Sequence, residues 1–121
     1  MKIQESAENY LEAILRLGET RGNVRSIDVA HELDFSKPSV SVAMKNLRLN
    51  GFINMDDAGY ITLTESGREI AEKIYERHKL LSGWLVHLGV DPKIAAEDAC
   101  RMEHVISAES FEAIKRHTLK K

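Results

Sequence analysis

Residues 26–50 read SIDVAHELDFSKPSVSVAMKNLRLN. The pattern predicts two short helices joined by a tight turn. Ser26 is placed to cap the first, which carries Ile27, Ala30 and Leu33 on one face. Ser36 is placed to cap the second, with Pro38 in its first turn, where a missing N–H costs little. Val40, Ala43, Met44 and Leu47 then recur at i, i+3, i+4 and i+7, the spacing of a buried stripe. The other face carries Lys37, Ser39, Ser41, Lys45 and Arg48. Between positions 35 and 55 there is no Asp or Glu, although the net charge is −2. A helix that buries one side and shows basic and hydroxyl groups on the other suits the major groove of DNA. The competing reading is a small helical hairpin with an ordinary solvated face.

On the C-terminal side, residues 52–55 and 60–63 flank Asp56, Asp57, Ala58 and Gly59 and predict a β-hairpin. Helix-turn-helix followed by a hairpin is a winged helix. Asp56 and Asp57 near the tip are expected to repel phosphate, so the tip itself adds little affinity. Asn50 and Gly51 close the preceding helix, with Gly51 as its C′ residue. On the N-terminal side, residues 4–17 predict an amphipathic helix with Ala7, Tyr10, Leu11, Ile14 and Leu17 as its stripe, followed by a turn over residues 19–23. Thr64 is the expected cap of a helix of about six turns, longer than the average globular helix. Gly89 to Pro92 breaks that helix. A further helix runs from Asp91 as cap to about Val105, and Ser107 caps a last one that frays at Lys120 and Lys121.

The chain has 121 residues, room for one ordinary domain or two small ones. Its 43% hydrophobic and 30% charged residues are those of a soluble globular protein, and no apolar run is long enough to span a bilayer. With no signal peptide, the expected location is cytoplasmic. The lone Cys100 excludes an intrachain disulfide. Residues 1–75 hold 9 Lys and Arg against 12 Asp and Glu, a formal −3; residues 76–121 hold 8 against 7, a formal +1. A DNA-reading half that is net negative calls for a charge offset, which points to a bound cation.

Cys100, Glu103 and His104 fall at i, i+3 and i+4 on one helix face. A thiolate, a carboxylate and an imidazole together form a strong ligand set for a divalent transition metal. His78 lies in the apolar stripe of the long helix, and Asn9 and Glu12 lie a turn apart on the first helix. If these helices meet, Asn9, Glu12, His78, Cys100, Glu103 and His104 surround one or two ions. The alternative makes Cys100 a small buried hydrophobe, His78 a core histidine, and the rest ordinary polar residues. His31, His87 and His117 have no ligand-spaced partners. Catalysis is not expected: i, i+4 neighbours project side by side, and the chain has no P-loop, dinucleotide turn or Gly-rich oxyanion loop.

The sequence resembles the diphtheria toxin repressor family, the iron- and manganese-responsive repressors, over almost its whole length. The resemblance is carried by SAENYLEAI, DVAHELDFSKPSVSVAMKNL, GYITLTESGREIA, YERHKLL and DACRMEHVIS. It implies a mainly α fold, a winged helix-turn-helix at 1–72 followed by a helical metal-binding and dimerisation domain at 73–121, in the short form without an SH3-like domain. It also implies a homodimer that binds palindromic operator DNA when loaded with Fe²⁺ or Mn²⁺, with Zn²⁺, Co²⁺ or Ni²⁺ as substitutes in vitro. Soft Cys100 leans the choice to Fe²⁺. The metal residues it implies are Cys100, Glu103, His104, Asn9, Glu12 and His78. Asn9 with Cys100 matches neither the iron nor the manganese branch fully, and Ser82 and Ala96 stand where iron-branch members carry ancillary ligands. The expected DNA-contacting residues are Arg25, Ser36, Lys37, Pro38, Ser39, Ser41, Val42, Lys45 and Arg48, with Val42 replacing a glutamine of some relatives. The alternative is a winged-helix module that does not sense metal.

Overall fold

The computed structural model describes residues 5–119, with side chains for residues 6–118. The expected helix start at Gln4 and the fraying pair Lys120 and Lys121 lie outside these residues. The element order is α1 (Glu5–Arg21), α2 (Ser26–Leu33), α3 (Lys37–Leu49), β1 (Ile53–Met55), β2 (Ile61–Leu63), α4 (Glu65–His87), α5 (Pro92–Val105) and α6 (Ala108–Leu119). The chain forms two compact units, Met1–Glu72 and Lys73–Lys121.

In the first unit the stripes of α1 and α3 are buried as their periodicity predicts, whereas on α2 Val29 and Ala30 are buried, Leu33 is half-buried and the expected Ile27 is 36% exposed. Leu11, Ile14, Val29, Val40, Met44, Leu47, Ile53 and Ile61 are each at most 5% exposed. Burying each such side chain contributes roughly 1.5–3 kcal/mol relative to exposure. Tyr10 and Phe35 meet edge to face with ring centroids 5.8 Å apart, and Arg16 pairs with Glu32 at 3.3 Å, so α1 is tied to the helix-turn-helix.

Two local expectations are corrected. α1 does not stop at Leu17 but runs through Gly18 to Arg21, so most of the expected turn is helix. The hydroxyl of Thr20 donates to the Arg16 and Leu17 carbonyls, and the Gly22 N–H donates to the Gly18 carbonyl, which carries the helix one turn further. Ser26 does not cap α2, because the cap residue is Arg25, whose backbone N–H donates to Asp28 Oδ2 at 2.9 Å. Asp28 thus performs the reach-back half of a capping box from inside the first turn.

The expected cap of α3 is present: Ser36 Oγ accepts from the Ser39 N–H at 3.3 Å. Its C-terminus closes with the Phe52 N–H on the Leu47 carbonyl and the Gly51 N–H on the Arg48 carbonyl. This is the Schellman pattern, and Gly51 takes the φ of +80° that it requires. The hairpin pairs Ile53 with Leu63, Asn54 with Thr62 and Met55 with Ile61. Asp56 shapes its turn, because Oδ1 accepts from the Ala58 and Tyr60 N–H groups at 3.0 and 2.9 Å. Thr64 caps α4 through the Gly67 N–H and donates to the Gly51 carbonyl at 2.7 Å. Gly67 sits against the Phe52 carbonyl, where any Cβ would overlap the oxygen.

In the second unit Leu81, Ala99 and Phe111 form the buried centre, with Leu80, Trp84, Met102, Ile106 and Ile114 packed around them. α5 is capped by Asp91 and α6 by Ser107, both as predicted. Lys115 donates to Glu76 at 2.9 Å, and this hydrogen bond, with the Glu76 charge, raises the ammonium's pKa above its usual value. Val86, Leu88, Ile94 and Val105 leave large apolar side chains 41–76% exposed. Among the described residues no helix is long and apolar enough to cross a membrane.

Candidate metal centre and DNA interface

In the second unit His78 and His104 each stand beside one oxygen of Glu103. Glu103 lies on the inner face of α5 with no exposed surface. His78 Nδ1 on α4 donates to Glu103 Oε2 at 2.9 Å, with the carboxylate as acceptor. His104 Nε2 stands 3.4 Å from Glu103 Oε1, and its side chain is 2% exposed. Cys100, one turn earlier on α5, is half-buried.

Arg77 is a contributor that periodicity foretells but the ligand search passes over. It sits at the third position after Ile74 in the buried stripe and is 8% exposed. Its Nη1 donates to the carbonyls of Glu103 at 3.1 Å and Ile106 at 3.0 Å. Its guanidinium also lies 5.5 Å from the Phe111 ring centroid. Arg77 therefore anchors the backbone of the residue whose carboxylate its neighbour His78 engages. A cation at the C-terminal carbonyls of α5 is also favoured by the helix dipole.

The donor set fits a divalent ion. A fully buried carboxylate is costly unless its oxygens are satisfied. Among the described residues, Glu103 Oε1 makes no hydrogen bond. His78 holds Oε2 by a hydrogen bond at 2.9 Å, and His104 Nε2 stands 3.4 Å from Oε1, so each carboxylate oxygen has an imidazole nitrogen beside it. Imidazole and carboxylate suit first-row divalent metals, and an adjacent thiol softens the set.

In the first unit, Asn9 and Glu12 lie on α1. Asn9 is half-buried, and Glu12 is 2% exposed with Arg16 Nε 4.0 Å from its carboxylate. His31, His87 and His117 are exposed.

The first unit also carries the candidate DNA interface. Lys37, Pro38, Ser39, Ser41, Val42, Lys45 and Arg48 are all exposed on α3. Asn46, absent from the expected set, shares that exposed surface one turn after Val42. Ser36 is exposed too, but its hydroxyl is engaged with Ser39 Oγ at 2.8 Å as well as capping the helix. Arg25 is committed to the wing: Nη2 donates to the Ala58 carbonyl at 2.5 Å and the guanidinium stacks 4.8 Å from the Tyr60 ring centroid. No local sequence signal pairs residues 25 and 58.

Two family models match the chain, together covering nearly all of it. Residues 2–63 match the iron dependent repressor N-terminal DNA binding domain, and residues 64–119 match the iron dependent repressor metal binding and dimerisation domain. The transcriptional regulator MntR of Escherichia coli O6:H1 is 36% identical over 117 residues, 97% of this chain and 76% of that protein. An HTH-type transcriptional regulator of Methanocaldococcus jannaschii is 37% identical over 115 residues, 93% of this chain and 92% of that one. The solved structure of the manganese regulator SloR superposes with a TM-score of 0.82 at 26% identity, over 100% of this chain. The chain spans only 56% of the SloR chain's length. With a winged helix-turn-helix domain followed by a helical dimerisation domain, the chain belongs to the diphtheria toxin repressor family of metal-dependent transcriptional regulators and is not an enzyme.

Proposed function

We propose that the chain is a repressor of metal-homeostasis genes, which binds palindromic operator DNA as a homodimer when loaded with Fe²⁺ or Mn²⁺. Residues 1–72 read the DNA, and residues 73–121 hold the metal and the partner copy. The observation that carries this reading is Glu103, a fully buried carboxylate with an imidazole on one oxygen and, among the described residues, no hydrogen bond on the other. The assigned ligands are His78, Cys100, Glu103 and His104, joined by Glu12 and Asn9 from α1.

A bound divalent ion supplies positive charge and a fixed set of ligand directions. Glu103 presents its carboxylate inward because Arg77 holds its carbonyl. His78 would take up the ion on Nδ1 with its proton on Nε2, and a ligating Cys100 would have to lose its thiol proton, so metal affinity rises with pH. In this reading Glu12 would be a ligand carried by α1, and α1 is braced on α2 through Arg16 and Glu32. Fixing α1 therefore fixes α3. In a two-fold dimer this sets the two recognition helices one turn of DNA apart, about 34–36 Å. The exposed apolar side chains of the second unit, Val86, Leu88, Ile94 and Val105, supply surface for the partner copy.

The likeness to SloR, a manganese regulator, supports Mn²⁺. The Cys100 thiolate supports Fe²⁺. Anaerobic dialysis followed by metal analysis, and DNA anisotropy with each ion, tests the reading. Tight binding to DNA only in the metal-loaded state is expected, with DNA tightening metal binding by the same factor. DNA affinity equal with and without metal overturns it.

A further inference from the structure

Glu12 is only 2% exposed on α1, and a carboxylate so deeply buried is costly unless an opposite charge stands near it. Arg16, one turn later on the same helix, places Nε 4.0 Å from Glu12 Oε2. That separation is about 1 Å too long for a hydrogen bond. Arg16 Nε is itself buried and, among the described residues, makes no hydrogen bond. The contact is therefore an ion pair, with no directional bond to break when it parts. At its other end the guanidinium reaches a second acid, with Nη1 3.3 Å from Glu32 Oε2 on α2. The Arg16 and Glu32 side chains are 32% and 36% exposed, so this outer pair is open to water. Arg16 thus spans a buried carboxylate and a solvated one, and makes its shorter contact with the solvated one.

A guanidinium does not lose its proton in a protein, so Arg16 stays charged. A divalent ion arriving at Glu12 meets that charge at close range and repels it. Arg16 can relieve the repulsion only by moving, and Glu32 already holds its outer end. We propose that Arg16 is a tethered competitor of the metal: it neutralises Glu12 in the metal-free protein and must yield toward Glu32 when an ion binds, so it sets the metal concentration at which the protein responds. The inference rests on the reading that Glu12 is a ligand, and it adds the residue that opposes loading.

The test is a chelator-competition titration of the full chain with Mn²⁺. Arg16→Met and Arg16→Gln remove the charge and are expected to bind Mn²⁺ about fivefold more tightly than wild type, the scale of one partly exposed ion pair. Arg16→Lys keeps the charge and is expected to stay within twofold of wild type. In urea the metal-free Arg16→Met protein is expected to unfold at a lower midpoint than metal-free wild type, and saturating Mn²⁺ is expected to raise its midpoint by more. In a Glu12→Gln background, Arg16→Met is expected to leave Mn²⁺ affinity unchanged. Wild-type or weaker affinity in both uncharged variants overturns the proposal, and so does a fivefold gain that persists in the Glu12→Gln background. A gain of the same size in Arg16→Lys overturns it too, because charge is then not the cause. Wild-type Mn²⁺ affinity in Glu12→Gln alone overturns the underlying reading, by removing Glu12 from the ligand set.

Discussion

His78 Nδ1 lies 2.9 Å from Glu103 Oε2, although 25 residues separate them and they belong to different helices. The residue before His78, Arg77, donates to the carbonyl of the same glutamate. α4 thus grips Glu103 twice, at its backbone and at its carboxylate. The carboxylate's direction is set before any ligand arrives, which is how a metal ligand is pre-organised.

Glu103→Gln keeps the shape of the side chain and removes its charge. Metal affinity is expected to fall by more than the roughly 10–100-fold that losing an outer-shell partner costs. A chelator-competition titration with Mn²⁺ checks this, with far-UV circular dichroism showing the helices retained. Wild-type affinity in the variant removes Glu103 from the ligand set.

Arg77→Met leaves the Glu103 and Ile106 carbonyls without their donor. An unsatisfied buried polar group costs about 1–3 kcal/mol, and apolar methionine recovers part of the packing. A loss of about 2–4 kcal/mol in urea unfolding is expected. Arg77→Lys restores one donor and is expected to lose less.

Gly67 and Gly18 predict opposite outcomes for the same change. At Gly67 an added Cβ meets the Phe52 carbonyl, whereas at Gly18, inside α1, nothing lies within 4 Å. Gly67→Ala is expected to destabilise by about 1–3 kcal/mol, because backbone must move. Gly18→Ala is expected to stabilise by about 0.5–1 kcal/mol through helix propensity. Equilibrium urea unfolding of the two variants checks the sign.

Lys45→Ala removes one exposed cation from α3 without touching either unit's core. DNA binding is expected to weaken almost uniformly across sequences, and the slope of log K against log salt to fall by about one. Metal uptake is expected to stay at the wild-type level by the same chelator titration. Equal loss of metal and DNA binding contradicts the assignment of the two tasks to separate residues.

Local chemistry made much of this protein legible in its sequence. The stripe of Val40, Met44 and Leu47, the Ser36, Thr64, Asp91 and Ser107 caps and the Gly51 stop are each fixed by residues within a few positions of one another. Periodicity and capping act over one or two turns, so they can be read from the sequence directly. The face shared by Cys100, Glu103 and His104 was legible for the same reason. α1 outlasts its expected end at Leu17 because Thr20 and Gly22 donate to the carbonyls of its last turns, a contact that the polar residues 19–23 do not announce.

Tertiary structure decided which distant groups meet. No spacing rule places His78 on Glu103, turns Arg77 onto two carbonyls of α5, or sends Arg25 to the Ala58 carbonyl 33 residues away. Those contacts follow from how helices and hairpin pack within each unit, and packing depends on the summed burial of many side chains. The sequence determined which elements form and which residues carry metal-binding and DNA-binding chemistry. The folded chain determined that Glu103 is buried, that among the described residues one of its oxygens makes no hydrogen bond, and that Val42 is left facing water.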